Sequence, residues 1–148
     1  MNYLQILQKG LRFVVKLALT EVEQHGLEDP SQIFITFKTK FPGVVMPKHL
    51  IEQYPGSVTV VLQHEFWNLK VHENTFSVDL VFSDVVEKIV VPFNAISRFE
   101  DPNEPFALDF IVDPIESDFP HKNDYQNKQN KDNIISLDEF RKNKDPKN

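Results

Sequence analysis

The stretch Thr75-Phe76-Ser77-Val78-Asp79-Leu80-Val81-Phe82-Ser83-Asp84-Val85-Val86-Glu87-Lys88-Ile89-Val90-Val91 decides the fold class. Phe76, Val78, Leu80 and Phe82 alternate with Ser77 and Asp79, the two-residue period of a half-buried strand. Ser83-Asp84 is a tight connection into the β-branched run Val85–Val91, so the stretch predicts a β-hairpin. Pro92 has no N–H to give to a ladder and halts it. Working outward, Ile33–Thr39 sets Ile33, Ile35 and Phe37 against Thr36 and Lys38, another half-buried strand, and Phe41-Pro42-Gly43 turns the chain. Val58–Leu62 predicts a buried strand running on through Gln63 to Trp67, and Phe106–Val112 a last strand. Between them, Pro47–Tyr54 predicts two helical turns ended by Pro55-Gly56, and Phe93–Phe99 a short helical turn. About five short strands with short links point to a small, strongly bent antiparallel sheet or barrel.

That β-rich unit follows a long helix. Over Met1–His25, Leu4, Leu7, Leu11, Val14, Ala18 and Val22 recur at three- and four-residue steps, which puts them on one stripe, and Gly26 is suited to end it. A second set, Tyr3, Ile6, Phe13 and Leu17, widens the apolar surface beyond one contact face. Such a helix must be buried on two sides, one of which its own domain can supply. Homodimerisation through Leu4, Leu7, Leu11, Val14 and Ala18 is the preferred reading; a simple core helix is the alternative.

The 148 residues carry a net charge of −6, of which the segment from Asp113 onward contributes only −1. The acidic body is a poor match for phosphate backbones, which disfavours nucleic acid as a partner. No cysteine is present, so disulfides and thiolate chemistry are excluded, in keeping with a reducing compartment. Lys9, Arg12 and Lys16 interrupt the apolar runs of the first twenty residues, and no stretch approaches a membrane span. A soluble, cytoplasmic protein is expected. From Asp113 the chain is too polar to bury a core and is expected to form a disordered tether. At its end Ile134, Ile135, Leu137 and Phe140 reappear together and run into Arg141, Lys142 and Lys144. This is the layout of a docking peptide, or else of a small amphipathic helix folding back on its own domain.

Catalytic signatures do not appear. Gly10, Gly26, Gly43 and Gly56 build neither a phosphate-cradling loop nor a dinucleotide fingerprint, and there is no Gly-x-Ser-x-Gly elbow. His25, His49, His64, His72 and His121 lack metal-ligand spacing, so no metal and no cofactor are expected. Binding is the better reading, and it falls on Leu62-Gln63-His64-Glu65-Phe66-Trp67-Asn68-Leu69, which mixes hydrogen-bonding groups with large aromatics as a peptide groove requires. Gln63 can both donate and accept. Gln63 and His64 are the first candidates; Phe66 divides evenly between groove and core, and Trp67 leans to core packing.

Val61-Leu62-Gln63-His64-Glu65-Phe66-Trp67-Asn68-Leu69-Lys70-Val71 closely resembles the SspB family in its alpha-proteobacterial form. Supporting matches are Phe34-Ile35-Thr36-Phe37 before Pro42-Gly43-Val44, then Phe76-Ser77-Val78-Asp79-Leu80, Val90-Val91-Pro92-Phe93 with Ala95-Ile96, and Phe99-x-Asp101-Pro102. The resemblance covers Leu11–Phe110 and the separated tail. It implies an adaptor of the ClpXP protease that binds ssrA-tagged polypeptides and tethers them to the ClpX unfoldase. It also implies an N-terminal dimerisation helix packed on a small Sm-like antiparallel β-barrel. On this chain the groove would be lined by Gln63, His64 and Phe66, with Phe76, Val78, Phe82 and Val91 from the two later segments. ClpX would dock on Ile134, Ile135, Leu137, Phe140, Arg141 and Lys142, although Asp138 and Glu139 split that run.

The expected organisation is a helix over 1–27, a peptide-binding domain over 28–112, a linker over 113–133 and a docking tail over 134–148. As a flexible coil the linker would reach ~25 Å r.m.s. and at most ~70 Å, enough for effective concentrations of order mM. The alternatives are an Sm-like RNA-binding module stacking bases on Phe66 or Trp67, a purely structural dimer whose tail is inert, and a peptide-binding adaptor for a different signal.

Overall fold

The computed structural model describes residues 1–113. A long helix, α1 (Tyr3–His25), precedes β1 (Ile33–Lys38), a short helix α2 (Lys48–Gln53), and strands β2 (Ser57–Leu62), β3 (Phe66–Val71), β4 (Thr75–Phe82), β5 (Val85–Pro92), β6 (Ile96–Asp101) and β7 (Phe106–Asp109). The linker and the docking peptide expected at the C-terminal end lie outside the described residues.

The strands form two antiparallel sheets, one ordered β2-β1-β6-β7 and the other β3-β4-β5. The predicted hairpin is β4–β5, in register from Thr75 opposite Pro92 to Phe82 opposite Val85. Its turn is built by Ser83 and Asp84, both with positive φ (51° and 68°), the mirror-image turn whose twist matches the flanking strands. Val45 adds a single bridge to Val90 on the open side of β5.

Three expectations are corrected. The strand expected to run from Val58 to Trp67 is broken: β2 ends at Leu62, His64 takes a left-handed φ of 56°, and β3 restarts at Phe66 in the other sheet. The helical turn expected over Phe93–Phe99 is a 3-10 turn only at Phe93–Ala95, after which β6 begins. At these two places the chain leaves one sheet for the other, so β2 does not pair with β3 nor β5 with β6. The described strands therefore make two packed sheets and not the closed barrel that was expected.

The core lies between the sheets and under α1. Ile33, Ile35 and Phe37 of β1 point inward, as their alternation requires, and meet Leu62, Val60, Phe99 and Leu108 from the same sheet. Phe76, Val78, Leu80, Ile89 and Val91 cover them from the second sheet. Phe76 and Phe93 stack tilted, ring centroids 5.9 Å apart.

α1 begins at Asn2, whose Oδ1 accepts the Gln5 N–H at 3.0 Å, and ends at Gly26 (φ 75°), whose N–H donates to Val22 O. Its buried face is Val15, Leu19 and Val22, with Leu11 and Ala18 packed partly against the core. The helix also ties down the end of β3 and the turn after it: Glu23 Oε1 accepts the Val71 N–H at 3.0 Å, and Lys16 Nζ donates to Glu73 O at 3.0 Å.

Candidate functional site

Strand register locates the residues singled out in the sequence. Ile33 pairs with Leu62 and Phe34 with Glu100, so the start of β1 and the ends of β2 and β6 share one end of the first sheet. Phe66 pairs with Leu80 and Phe82 with Val85, which places the start of β3 and the β4–β5 turn at one end of the second. The turn Gln63-His64-Glu65 joins these two ends. Four of the seven predicted groove residues, Gln63, His64, Phe66 and Phe82, therefore gather at one end of the domain.

Cross-strand partners share a face, so Phe66, Leu80 and Glu87 lie on the inner face of the second sheet, together with Phe76, Val78, Phe82, Ile89 and Val91. Exposure along this face is graded. Phe76, Val78 and Val91 are at 0%, Phe66 and Phe82 are half-buried, and Val85 at the turn is 52% exposed. Phe76, Val78 and Val91 thus floor the apolar surface and do not face solvent, whereas Phe66, Phe82 and Val85 form its open rim. Gln63 is half-buried beside that rim and His64 is exposed. His64 Nε2 stands 3.0 Å from Asp29 Oδ1, tying the turn to the loop that precedes β1.

Trp67 sits on the opposite face, in one row with Asp79 and Lys88, and is 45% exposed instead of packed in the core. The register of β3 shifts between Trp67 and Lys70, where Asn68 adopts φ 55° and its Nδ2 donates to Asp79 Oδ2 at 2.7 Å. This bulge re-aims the strand, so that Leu69 reaches the core two residues after Trp67 points outward. Val85 was missed in the sequence because it reads as one more strand residue; only its place beside the two-residue turn exposes it.

The predicted dimer stripe divides. Leu11 and Ala18 belong to the intramolecular face, Leu4 is half-buried, and Leu7 and Val14 are exposed. The outward surface is instead Tyr3 (72% exposed), Ile6, Leu7, Phe13 (55%), Val14 and Leu17 (52%). At 100° per residue these six surround Gly10, being three, four or seven positions from it. A Cβ built on Gly10 would meet no atom within 4 Å.

The arrangement offers an apolar rim, an amide, an imidazole and exposed strand ends, which suits an extended peptide with apolar side chains. Among the described residues no group of three or more His, Cys, Asp or Glu is placed to hold a metal ion, and no helix is long and apolar enough to cross a membrane.

No curated protein matches the chain significantly. A family model does, described as SspB, stringent starvation protein B, and it matches residues 5–148, taking in helix, sheets and the C-terminal segment alike. The chain belongs to the SspB family.

Proposed function

We propose that this protein is a non-enzymatic adaptor that binds ssrA-tagged polypeptides at the open end between its sheets and brings them to ClpX through its C-terminal segment, enhancing degradation by ClpXP in the cytoplasm. The observation that carries the reading is the extent of the family match, which spans the folded body and the separated apolar-basic segment together. The graded apolar rim of Phe66, Phe82 and Val85 beside Gln63 and His64 supports a peptide ligand. Phe76, Val78 and Val91 contribute as the floor that fixes the rim. Gln63 supplies backbone-reading hydrogen bonds, and Ile134, Ile135, Leu137, Phe140, Arg141 and Lys142 dock on the unfoldase. The exposed stripe around Gly10 pairs with that of a second copy, giving a homodimer with two tails.

The test is fluorescence anisotropy of a labelled ssrA peptide titrated with the full chain and with Gln63→Ala. Saturable binding is expected, weakened about tenfold in the variant, as loss of one buried-side hydrogen bond costs roughly 1.4 kcal/mol. Deleting 134–148 is expected to spare this binding and abolish delivery to ClpXP. Absence of peptide binding by the wild-type chain, or normal delivery by the shortened one, refutes the reading.

A further inference from the structure

The last described residues are not simply the end of a strand. β7 has four residues and pairs with β6 on one side only, and Phe110 N–H continues that pairing by donating to Ser97 O at 2.9 Å. At Ile111 the partner changes. Gln8 Oε1 accepts the Ile111 N–H at 2.9 Å, and Arg12 Nη2 donates to Ile111 O at 3.0 Å. Gln8 and Arg12 are one helical turn apart, so α1 takes both backbone groups of a single residue with two side chains on one face. The guanidinium is itself locked: Nη1 donates to Phe93 O and, at 2.9 Å, to Ile96 O, and its carbon lies 4.6 Å from the centre of the Phe110 ring. Hydrogen bonds from a charged guanidinium are stronger than amide–amide bonds, and arginine keeps its proton at any working pH.

This is a two-pronged grip placed where the C-terminal segment leaves the body. A short edge strand pulled from its C-terminal end would otherwise peel from β6 one hydrogen bond at a time. We propose that Gln8 and Arg12 are positioning residues that clamp Ile111 to α1 and act as a mechanical stop, so that a partner pulling on the C-terminal segment loads the helix and the first sheet together and does not unzip β7. The stop's biological use rests on the reading that ClpX holds this segment; the clamp itself does not. It would let an unfoldase hold the adaptor by its end without consuming it.

The chain has no cysteine, so Lys38→Cys supplies one unique handle for an optical trap, with the second on the C-terminus of the full chain. Register places Lys38 at the same end of the first sheet as the exit of β7, which makes the pull an unzipping one. The wild type is expected to unfold without an early step. Gln8→Leu and Arg12→Gln are expected to show one of about 28 Å, the length of Phe106–Asp113 peeled to full extension at roughly 3.5 Å per residue. Gln8→Leu removes a single prong and carries the test if Arg12→Gln fails to fold. An early step in the wild type, or none in Gln8→Leu at the same loading rate, overturns the clamp. With ClpXP, the adaptor itself should be degraded in the clamp variants and survive as wild type, ssrA-peptide affinity being equal in both. Equal survival with tail docking intact overturns the stop. Failure of the wild-type tail to bind ClpX at all would instead sink the reading of the tail, and the trap alone would then decide the clamp.

Discussion

Replacing Gly10 with alanine separates two roles of the same helix. Gly10 lies in the interior of α1 with open space where a Cβ would go, so nothing in the single chain opposes the change. An exposed helix-interior glycine costs roughly 0.8–1.0 kcal/mol relative to alanine. Gly10→Ala should therefore stabilise the isolated chain by about that amount. In a pair of helices meeting across the stripe the sign reverses. Tyr3, Ile6, Leu7, Phe13, Val14 and Leu17 ring the one position without a side chain, the place where two backbones paired across this stripe would approach most closely. Inserting a methyl group into a packed contact costs about 1–3 kcal/mol, which corresponds to a self-association weakened roughly 5- to 150-fold. Sedimentation equilibrium would read the dissociation constant, and urea unfolding at concentrations below it would read the monomer, whose stability must not be mixed with association. Unchanged or tighter self-association with a stabilised monomer would refute a crossing at Gly10. A destabilised monomer would refute the helix-interior argument itself.

The remaining predictions concern the body. Leu19 is fully buried at the centre of the inward face of α1, so Leu19→Ala should lower stability by about 2–5 kcal/mol, seen as a lower urea midpoint at unchanged slope. His64→Gly relieves a left-handed backbone while deleting an exposed imidazole–carboxylate pair, two effects of about 1 kcal/mol that oppose each other. Its stability should stay within roughly 1 kcal/mol of wild type while ssrA-peptide affinity falls; unaltered affinity would remove His64 from the site.

How much of this was legible in the sequence depends on whether a residue's neighbour in sequence is also its neighbour in space. The β4–β5 hairpin was fully readable, because alternation, a two-residue turn and a stop at Pro92 are all local. α1 was readable for the same reason, down to its glycine stop. The broken strand at Gln63–Glu65 was not, since a β-branched run followed by aromatics has one pattern whether it continues or changes sheet; only the backbone at His64 decides. Periodicity put Leu11 and Ala18 in one stripe with Leu7 and Val14, whereas they pack partly against the core: with apolar residues around most of the circumference, which stripe meets the core is fixed by the sheet and not by the helix. The rim of the candidate site was partly legible. Gln63, His64, Phe66 and Phe82 gather there, but residues on one strand face differ in depth, and depth placed Phe76, Val78 and Val91 beneath the surface. The hold of Gln8 and Arg12 on Ile111 joins residues a hundred positions apart and leaves no mark on either segment alone.

The order β2-β1-β6-β7 has a consequence for how the chain is made. As the polypeptide leaves the ribosome, β2 follows β1 closely and can pair with it at once, but the other flank of β1 is completed only by β6, whose Ile96 pairs with Phe37 after all of the second sheet has been synthesised. The β4–β5 hairpin can close in the meantime, because its contacts are local. Until Ile96–Asp101 has been synthesised, then, the nascent chain displays Phe34-Ile35-Thr36-Phe37 along a bare strand edge, and synthesis stalled in that interval would leave a fragment open to pairing with its neighbours.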